Sequence, residues 1–106
     1  MITEQELRQI KRRRGNMLKF IRQGHERQLD RMDDLMMQAM MQDVGSNMSQ
    51  RQVMTMLQDL QILGYVKFEQ AFSDELERYT ADEIMLTSTG LAVVSRRKDN
   101  DEVMFS

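Results

Sequence analysis

The segment SNMSQRQVMTMLQDLQILGYVKFEQ, residues 46–70, contains the clearest helix boundary signals in the chain. Ser49 and Gln52 have the spacing of a capping box, in which each residue's side chain binds the other's backbone N–H. Gly64 is a typical residue for the end of a helix, and YVKFEQAF, residues 65–72, has the composition of a strand. The segment therefore predicts a helix from Ser49 to Gly64 that leads directly into a β-strand.

This helix has one apolar face and one polar face. Its apolar side chains recur every three or four residues and are predicted to point into the core: Val53, Met56, Leu57, Leu60 and Leu63. Between Ser49 and Gly64 the chain has one cation, Arg51, and one anion, Asp59. The outer face of the helix is therefore expected to be polar but almost uncharged.

Two helices are predicted before this one. Thr3 and Glu6 have capping-box spacing at the start of the first helix, which is expected to stop near Gly24. The second helix is expected to begin near Asp30 and to end before Gly45. Its predicted buried stripe consists of apolar residues at helical spacing: Met32, Leu35, Met36, Ala39 and Met40.

One more strand and one more helix are predicted after residue 70. The sequence IMLT, residues 84–87, is expected to be a returning strand, and Thr87 or Ser88 is expected to cap a last short helix. The predicted class is mainly helical α+β: a three-helix core sealed by a two-stranded antiparallel hairpin, with a short C-terminal helix, which is a winged-helix arrangement. One domain is expected over residues 1–98, followed by a loosely held polar tail at 99–106.

Composition limits the classes of function. The chain has no cysteine, and its apolar runs are far shorter than the roughly 20 residues that a membrane span needs, so we expect a cytoplasmic protein. His25 is the one histidine, and there is no phosphate loop, nucleophile elbow or calcium-loop spacing. We expect no enzyme activity, cofactor, metal or small-molecule substrate.

Charge is distributed unevenly along the chain. Residues 1–27 contain eight basic and three acidic residues, a net charge of +5, whereas the remainder contains seven basic and fourteen acidic residues, a net charge of −7. The basic end could approach a polyanion. The alternatives are head-to-tail self-association and ordinary solvated faces. Because 106 residues form only a small core, a homodimer is also expected.

Two motifs resemble those of winged-helix transcription regulators: LQDLQILGYV, residues 57–66, and LTSTGLAVV, residues 86–94. The resemblance covers about residues 10–97. Within that superfamily the chain looks most like the small winged-helix proteins of Mu-like phages and prophages. That likeness depends on the basic sequence RRRGNMLKFI, residues 12–21, and on the Ser-x-Arg-x-Val-x-x-x-Leu pattern that begins at Ser49. It implies a fold and a phage-like origin, and little about activity.

The predicted wing departs from the DNA-binding members of that superfamily, which usually have Arg or Lys there. Here a single cation, Arg78, accompanies a set of acidic residues: Glu69, Asp74, Glu75, Glu77, Asp82 and Glu83. If the domain binds duplex DNA, the wing must therefore point away from it, because phosphates would repel these carboxylates.

The leading hypothesis is a DNA-binding transcriptional regulator. The outward residues of the third helix could contact base edges: Arg51, Gln52, Thr55 and Gln58. Ser49 and the first-turn amides could hold a phosphate. Further phosphate contacts would come from the first helix: Arg12, Arg13, Arg14 and Lys19. An ordinary solvated polar face is an equal alternative.

The second hypothesis is a protein–protein adaptor on the same scaffold. Met37 and Met41 fall beside the predicted stripe of the second helix, and flexible thioethers suit a surface that packs against a partner. A surface shared by Arg12–Arg14 and the third helix would favour DNA, and opposite sides would favour the adaptor.

Overall fold

A computed structural model describes residues 1–27 and 31–105 of the chain. The elements follow one another in this order: α1 Glu4–Glu26, α2 Asp34–Asp43, α3 Gln50–Ile62, β1 Val66–Ser73, β2 Arg78–Leu86 and α4 Ser88–Arg96. The two strands pair as one antiparallel hairpin. The predicted class is confirmed, since the described chain is mainly helical α+β with a two-stranded hairpin, and its order of elements is consistent with a winged-helix-like layout.

The core is broader than three helices sealed by a hairpin. All four helices, the hairpin and the C-terminal segment contribute fully or almost fully buried side chains: Met17, Leu18, Ile21, Met37, Met41, Val53, Leu57, Leu60, Val66, Ile84, Val94 and Val103. In the described residues no helix is both long and apolar enough to cross a membrane.

Helix α1 begins as predicted but extends further at its C-terminal end. The Thr3 hydroxyl accepts a hydrogen bond from the Glu6 amide at 3.1 Å, and the helix continues past the buried Gly24 to Glu26. The N-terminal turns project beyond the core, so that Leu7 is 42% exposed. The apolar stripe of α1 is therefore buried only in the C-terminal half of the helix.

The buried face of helix α2 is rotated from the predicted stripe, of which Met32 is buried, Met36 and Met40 are partly buried, and Leu35 and Ala39 are exposed. The predicted start at Asp30 lies outside the described residues, and the observed cap is Asp33, whose carboxylate accepts from the Met36 amide at 2.8 Å. Leu35 is 51% exposed, whereas Met37 and Met41 are fully buried. The prediction that these two methionines form a protein interface is therefore wrong.

Asp34 explains this rotation of α2. Its side chain is buried and accepts hydrogen bonds from the Ala81 amide at 3.1 Å and from the Gln50 side-chain amide at 2.7 Å. A buried carboxylate is costly unless it is hydrogen-bonded, so these two bonds fix the face of α2 that turns inward. Met37 and Met41 lie three and seven residues later and share that face.

The boundaries of α3 are as predicted. Ser49 and Gln52 form the complete capping box, with N–O distances of 3.1 and 2.8 Å. The helix ends before Gly64, which has a φ of +82°, a conformation that glycine adopts without strain. The local signals in this segment were therefore sufficient to place the helix.

The two motifs at the ends of the hairpin meet in space. The Thr87 hydroxyl donates to the Gly64 carbonyl at 2.6 Å and accepts from the Gly90 amide at 3.0 Å, which caps α4. A Cβ on Gly90 would lie 1.9 Å from the Tyr65 carbonyl oxygen. A residue larger than glycine at position 90 would therefore clash with the backbone where β1 begins.

The second strand is longer than predicted. It begins at Arg78 instead of Ile84, so the turn contains only residues 74–77 and much of the acidic stretch is strand. Between the pairs Lys67–Met85 and Glu69–Asp82 the second strand has one extra residue, and Glu83 there has a φ of +52°, so a bulge in β2 interrupts the pairing. Ala81 and Ile84 are both buried although they are three residues apart. The bulge thus changes which alternate residues of β2 face inward, and this hides the period-two pattern in the sequence.

The C-terminal segment, residues 99–105, is packed against α1 and is not a loosely held tail. Val103 is fully buried, and the Met104 amide donates to the Lys11 carbonyl at 3.0 Å. The Asn100 side chain accepts from the Glu102 and Val103 amides at 2.7 and 2.9 Å and forms a tight turn. That turn places Val103, an apolar residue in a mostly polar segment, in the core.

Candidate interaction surface beside helix α3

The outer face of α3 is exposed at Arg51, Gln52 and Thr55, and half-buried at Gln58. Most of the polar groups on this face already have partners within the protein. The Gln52 side chain closes the capping box, the Thr55 hydroxyl donates to the Arg51 carbonyl at 3.0 Å, and Gln58 donates to Gln70 at 3.2 Å. The Arg51 guanidinium forms no ion pair within the described part of the chain.

The predicted arginine cluster of α1 does not form one surface. Consecutive helical residues point about 100° apart, so Arg14 points away from Arg12, and only Arg12 and Arg13 line the same depression. Arg12 is exposed, whereas the Arg14 side chain is only 16% exposed and pairs with Glu102 at 3.0 Å and Asp59 at 3.9 Å. Arg14 therefore connects α1 to α3 and to the C-terminal segment, and its charge is balanced by two carboxylates.

Four other basic side chains of α1 line two separate depressions. Arg8, Arg12 and Arg13 face the loop before α3 at Val44 and Ser46. Lys19 lies instead with residues that follow α4: Arg97, Lys98, Asp99 and Phe105. The predicted phosphate-binding set is thus divided among three places on the molecule.

The hairpin runs alongside α3 and does not point away from it. Gln58 bonds to Gln70 on β1, and eight residues earlier in the helix Gln50 donates to the Tyr79 carbonyl on β2 at 3.1 Å. The N-terminal end of α3 therefore lies closer to the turn of the hairpin than its C-terminal half does. The turn at residues 74–77 extends past the level of Gln50, beside the N-terminal end of α3.

The end of the hairpin is both acidic and apolar. Phe72 and Tyr79 are paired across the strands in an edge-to-face contact with ring centroids 5.2 Å apart, and both are 53% exposed. Leu76, in the turn, is 51% exposed. We call this surface the tip patch; it consists of exposed residues: Phe72, Asp74, Glu75, Leu76, Glu77 and Tyr79.

Part of the tip patch could have been predicted from the sequence. The segment FSDELERY, residues 72–79, places two aromatic residues at equal distances from a polar turn, the pattern of a cross-strand aromatic pair. The exposure of that pair could not have been predicted from the sequence, because it depends on how far the hairpin extends past α2 and α3.

The described residues hold no group of three or more His, Cys, Asp or Glu side chains that could bind a metal ion. His25, the one histidine of the sequence, is exposed in the last turn of α1.

The fold and these surfaces define a mainly helical protein with a hairpin wing. No family model matches the chain, and neither a curated protein nor a solved structure matches it. The relation to winged-helix regulators and to proteins of Mu-like phages accordingly remains a prediction from the motifs.

Proposed function

We propose that this protein is a non-enzymatic interaction module that binds a protein partner through the tip patch and the adjoining end of α3. The observation that carries the proposal is the cluster of half-exposed apolar side chains, Phe72, Leu76 and Tyr79, at the end of the hairpin. Aromatic residues are enriched in protein interfaces, where they bury a large area with little loss of conformational entropy.

The charge around the patch favours a basic protein segment over a nucleic acid. Asp74, Glu75 and Glu77 surround the apolar residues and are all exposed. Duplex DNA carries about one negative charge per 1.7 Å of axis, so a duplex against the N-terminal end of α3 would meet these carboxylates within about one Debye length. Lysine or arginine side chains of a protein would instead be attracted.

Duplex DNA binding is the second candidate. It is favoured by the exposed Arg51 and Thr55 on α3 and by the exposed Arg12 on α1. In this alternative the N-terminal end of α3 would contact DNA at an angle that keeps the hairpin tip outside the phosphate backbone.

Capture with matched variants tests the leading proposal. The wild-type chain, a Phe72→Ser/Tyr79→Ser variant and a Leu35→Ser control are immobilised and exposed to the same mixture of proteins. Leu35 is a suitable control because it is 51% exposed on α2, which makes it as accessible as the tip residues. We expect a bound protein that is retained by wild type and control and is lost from the tip variant; identical capture by all three would refute the proposal.

DNA retention across a salt series tests the alternative. The regulator hypothesis requires wild-type chain to hold duplex DNA at low salt, and requires the affinity to fall steeply as salt rises. The interaction-module proposal expects no retention by wild type. Retention that is lost in Arg51→Ala and kept in Phe72→Ser/Tyr79→Ser would favour the regulator.

A further inference from the structure

The two strands of the hairpin differ in what lies along their outer edges. On β2, the Ala81 amide donates to the Asp34 carboxylate at 3.1 Å. The Tyr79 carbonyl, on the same edge, accepts from the Gln50 side chain at 3.1 Å. Asp34 and Gln50 are the first residues of α2 and α3, so these two helices cover the outer edge of β2.

These contacts also show which backbone groups of β1 face outward. In an antiparallel ladder, two residues that lie opposite each other either exchange hydrogen bonds or point their backbone groups away from each other. The bonded backbone groups of Ala81 and Tyr79 point away from β1. Their partners across the ladder are Gln70 and Phe72. The amides and carbonyls of Gln70 and Phe72 therefore face the outer edge of β1.

This outer edge of β1 is open. Within residues 1–27 and 31–105, no hydrogen bond reaches the backbone of Gln70 or Phe72 from another element. The side chains of residues 69–72 are all exposed. Proteins commonly protect a strand edge with a very short strand, a proline or a bulge. Here β1 is eight residues long, the chain has no proline, and the extra residue of the bulge is in β2.

We propose that the partner bound through the tip patch adds an extended segment alongside β1 as a third strand. This inference rests on the proposed function of the tip patch and adds the form in which the partner binds. An open edge presents a row of backbone donors and acceptors, and another extended chain is the structure that matches such a row. Phe72 belongs both to the tip patch and to this edge, so one segment can contact the two together.

The aromatic pair favours an apolar residue in the added strand. Side chains alternate between the two faces of a sheet, and those of neighbouring strands lie side by side on the same face. Phe72 shares its face with Tyr79, and both rings are 53% exposed. An apolar side chain of the added strand, placed beside Phe72, would therefore remove apolar area from water.

The charges of the hairpin favour basic residues at the alternate positions of the added strand. Glu69 is exposed on the face opposite to Phe72, and the turn contributes three more exposed carboxylates: Asp74, Glu75 and Glu77. The hairpin has two cations, Lys67 and Arg78. Lys67 lies at the end of β1 farthest from the turn, and Arg78 is partly buried. The expected segment therefore alternates apolar residues with lysine or arginine.

A defined peptide tests this inference. The probe is a fluorescent peptide of about eight residues in which valine and lysine alternate, and its counterpart has glutamate in place of lysine. Fluorescence anisotropy gives the dissociation constant of each peptide for the wild type and for two variants of one position. Gln70→Pro removes an outward-facing amide and places a ring at the edge, but removes no bond between β1 and β2. Gln70→Ala keeps that amide, and both variants lose the side-chain bond to Gln58.

We expect the lysine peptide to bind the wild type and Gln70→Ala with similar dissociation constants. The constant should be at least about tenfold higher for Gln70→Pro, and also for the glutamate peptide on the wild type. Circular dichroism confirms that each variant is folded. Hydrogen exchange needs no variant: the lysine peptide should slow exchange at the Gln70 and Phe72 amides of the wild type.

Three outcomes would overturn the inference. The first is no binding of the lysine peptide to the wild type up to about 1 mM. The second is binding that leaves exchange at both amides, or the dissociation constant in Gln70→Pro, unchanged. The third is a wild-type dimer in sedimentation velocity with both amides already protected, because a second copy would then occupy the edge.

The proposed function has its own separate test. Identical capture by the wild type and by Phe72→Ser/Tyr79→Ser refutes the proposed function whatever the peptide does. Tip-dependent capture, together with a peptide that leaves the Gln70 and Phe72 amides unprotected, would keep the proposed function and refute strand addition.

Discussion

Gly15 lies where the C-terminal segment crosses helix α1. A Cβ at this position would be 2.0 Å from the Met104 carbonyl oxygen and 2.9 Å from its carbon, both of them backbone atoms. No rotation of a flexible side chain can relieve that overlap. Gly15→Ala must therefore displace the segment, and Gly15 is the residue that allows residues 99–105 to pack closely on the helix.

The size of the effect follows from the contacts that would be lost. Exposing the fully buried Val103 costs about 1.5–3 kcal/mol, and losing the hydrogen bond from Met104 to Lys11 costs about 1 kcal/mol. The released segment regains conformational entropy, which offsets part of this cost. Alanine is better than glycine in a helix by about 0.5–1 kcal/mol. We therefore expect Gly15→Ala to destabilise the full chain by about 1–2 kcal/mol.

The matched control is a chain that ends at Lys98. Without the segment the new methyl group does not overlap the Met104 backbone, so only the higher helix propensity of alanine affects stability. Gly15→Ala should then stabilise the shortened chain by about 0.5–1 kcal/mol. The substitution is thus expected to have opposite signs in the two chains.

Urea denaturation of all four proteins measures these differences, and hydrogen exchange at the Met104 amide reports directly on the segment. In the full chain, 1 kcal/mol corresponds to a shift in Tm of roughly 4–8 °C. Stabilisation of the full chain by Gly15→Ala, with the Met104 amide still protected, would refute the packing of the segment against α1.

Two further predictions concern helix α2. Met37→Ala should cost about 2–5 kcal/mol in urea denaturation and Leu35→Ala less than about 0.5 kcal/mol, because only Met37 is buried; equal losses would contradict the observed face of the helix. Asp34→Ala should cost about 2–4 kcal/mol because the Ala81 amide and the Gln50 side chain lose their acceptor, and Asp34→Asn should cost less because its amide oxygen can still accept from Ala81. A loss below about 0.5 kcal/mol for the alanine variant would show that these bonds contribute little.

The candidate surface was predictable only in part. Ser49, Arg51 and Thr55 are exposed where the helical spacing placed them, because the face of α3 is set by a clear apolar stripe. The acidic residues around the hairpin turn were also evident from the sequence. Their position beside the N-terminal end of α3 was not, because it depends on the register of the hairpin against the helix.

The sequence alone determined the elements that depend on residues close together in the chain. The capping box at Ser49, the end of α3 at Gly64 and the cap of α4 at Thr87 all involve partners within about four residues. The residue types that make such contacts lie close together in the sequence, so the contacts can be predicted without the tertiary structure. The mainly helical class followed from them, together with the hairpin.

Tertiary structure decided which face of a helix is buried, and which partner a side chain binds, where the sequence allowed more than one answer. Helix α2 has apolar residues on more than one side, and the buried Asp34 selected the face that holds Met37 and Met41. Arg14 was predicted to contact phosphate, but its side chain is instead paired with Glu102, 88 residues away. The physical reason is the same in both cases: a side chain with several acceptable environments takes the one that distant packing and charge provide, and its neighbours in sequence do not specify that environment.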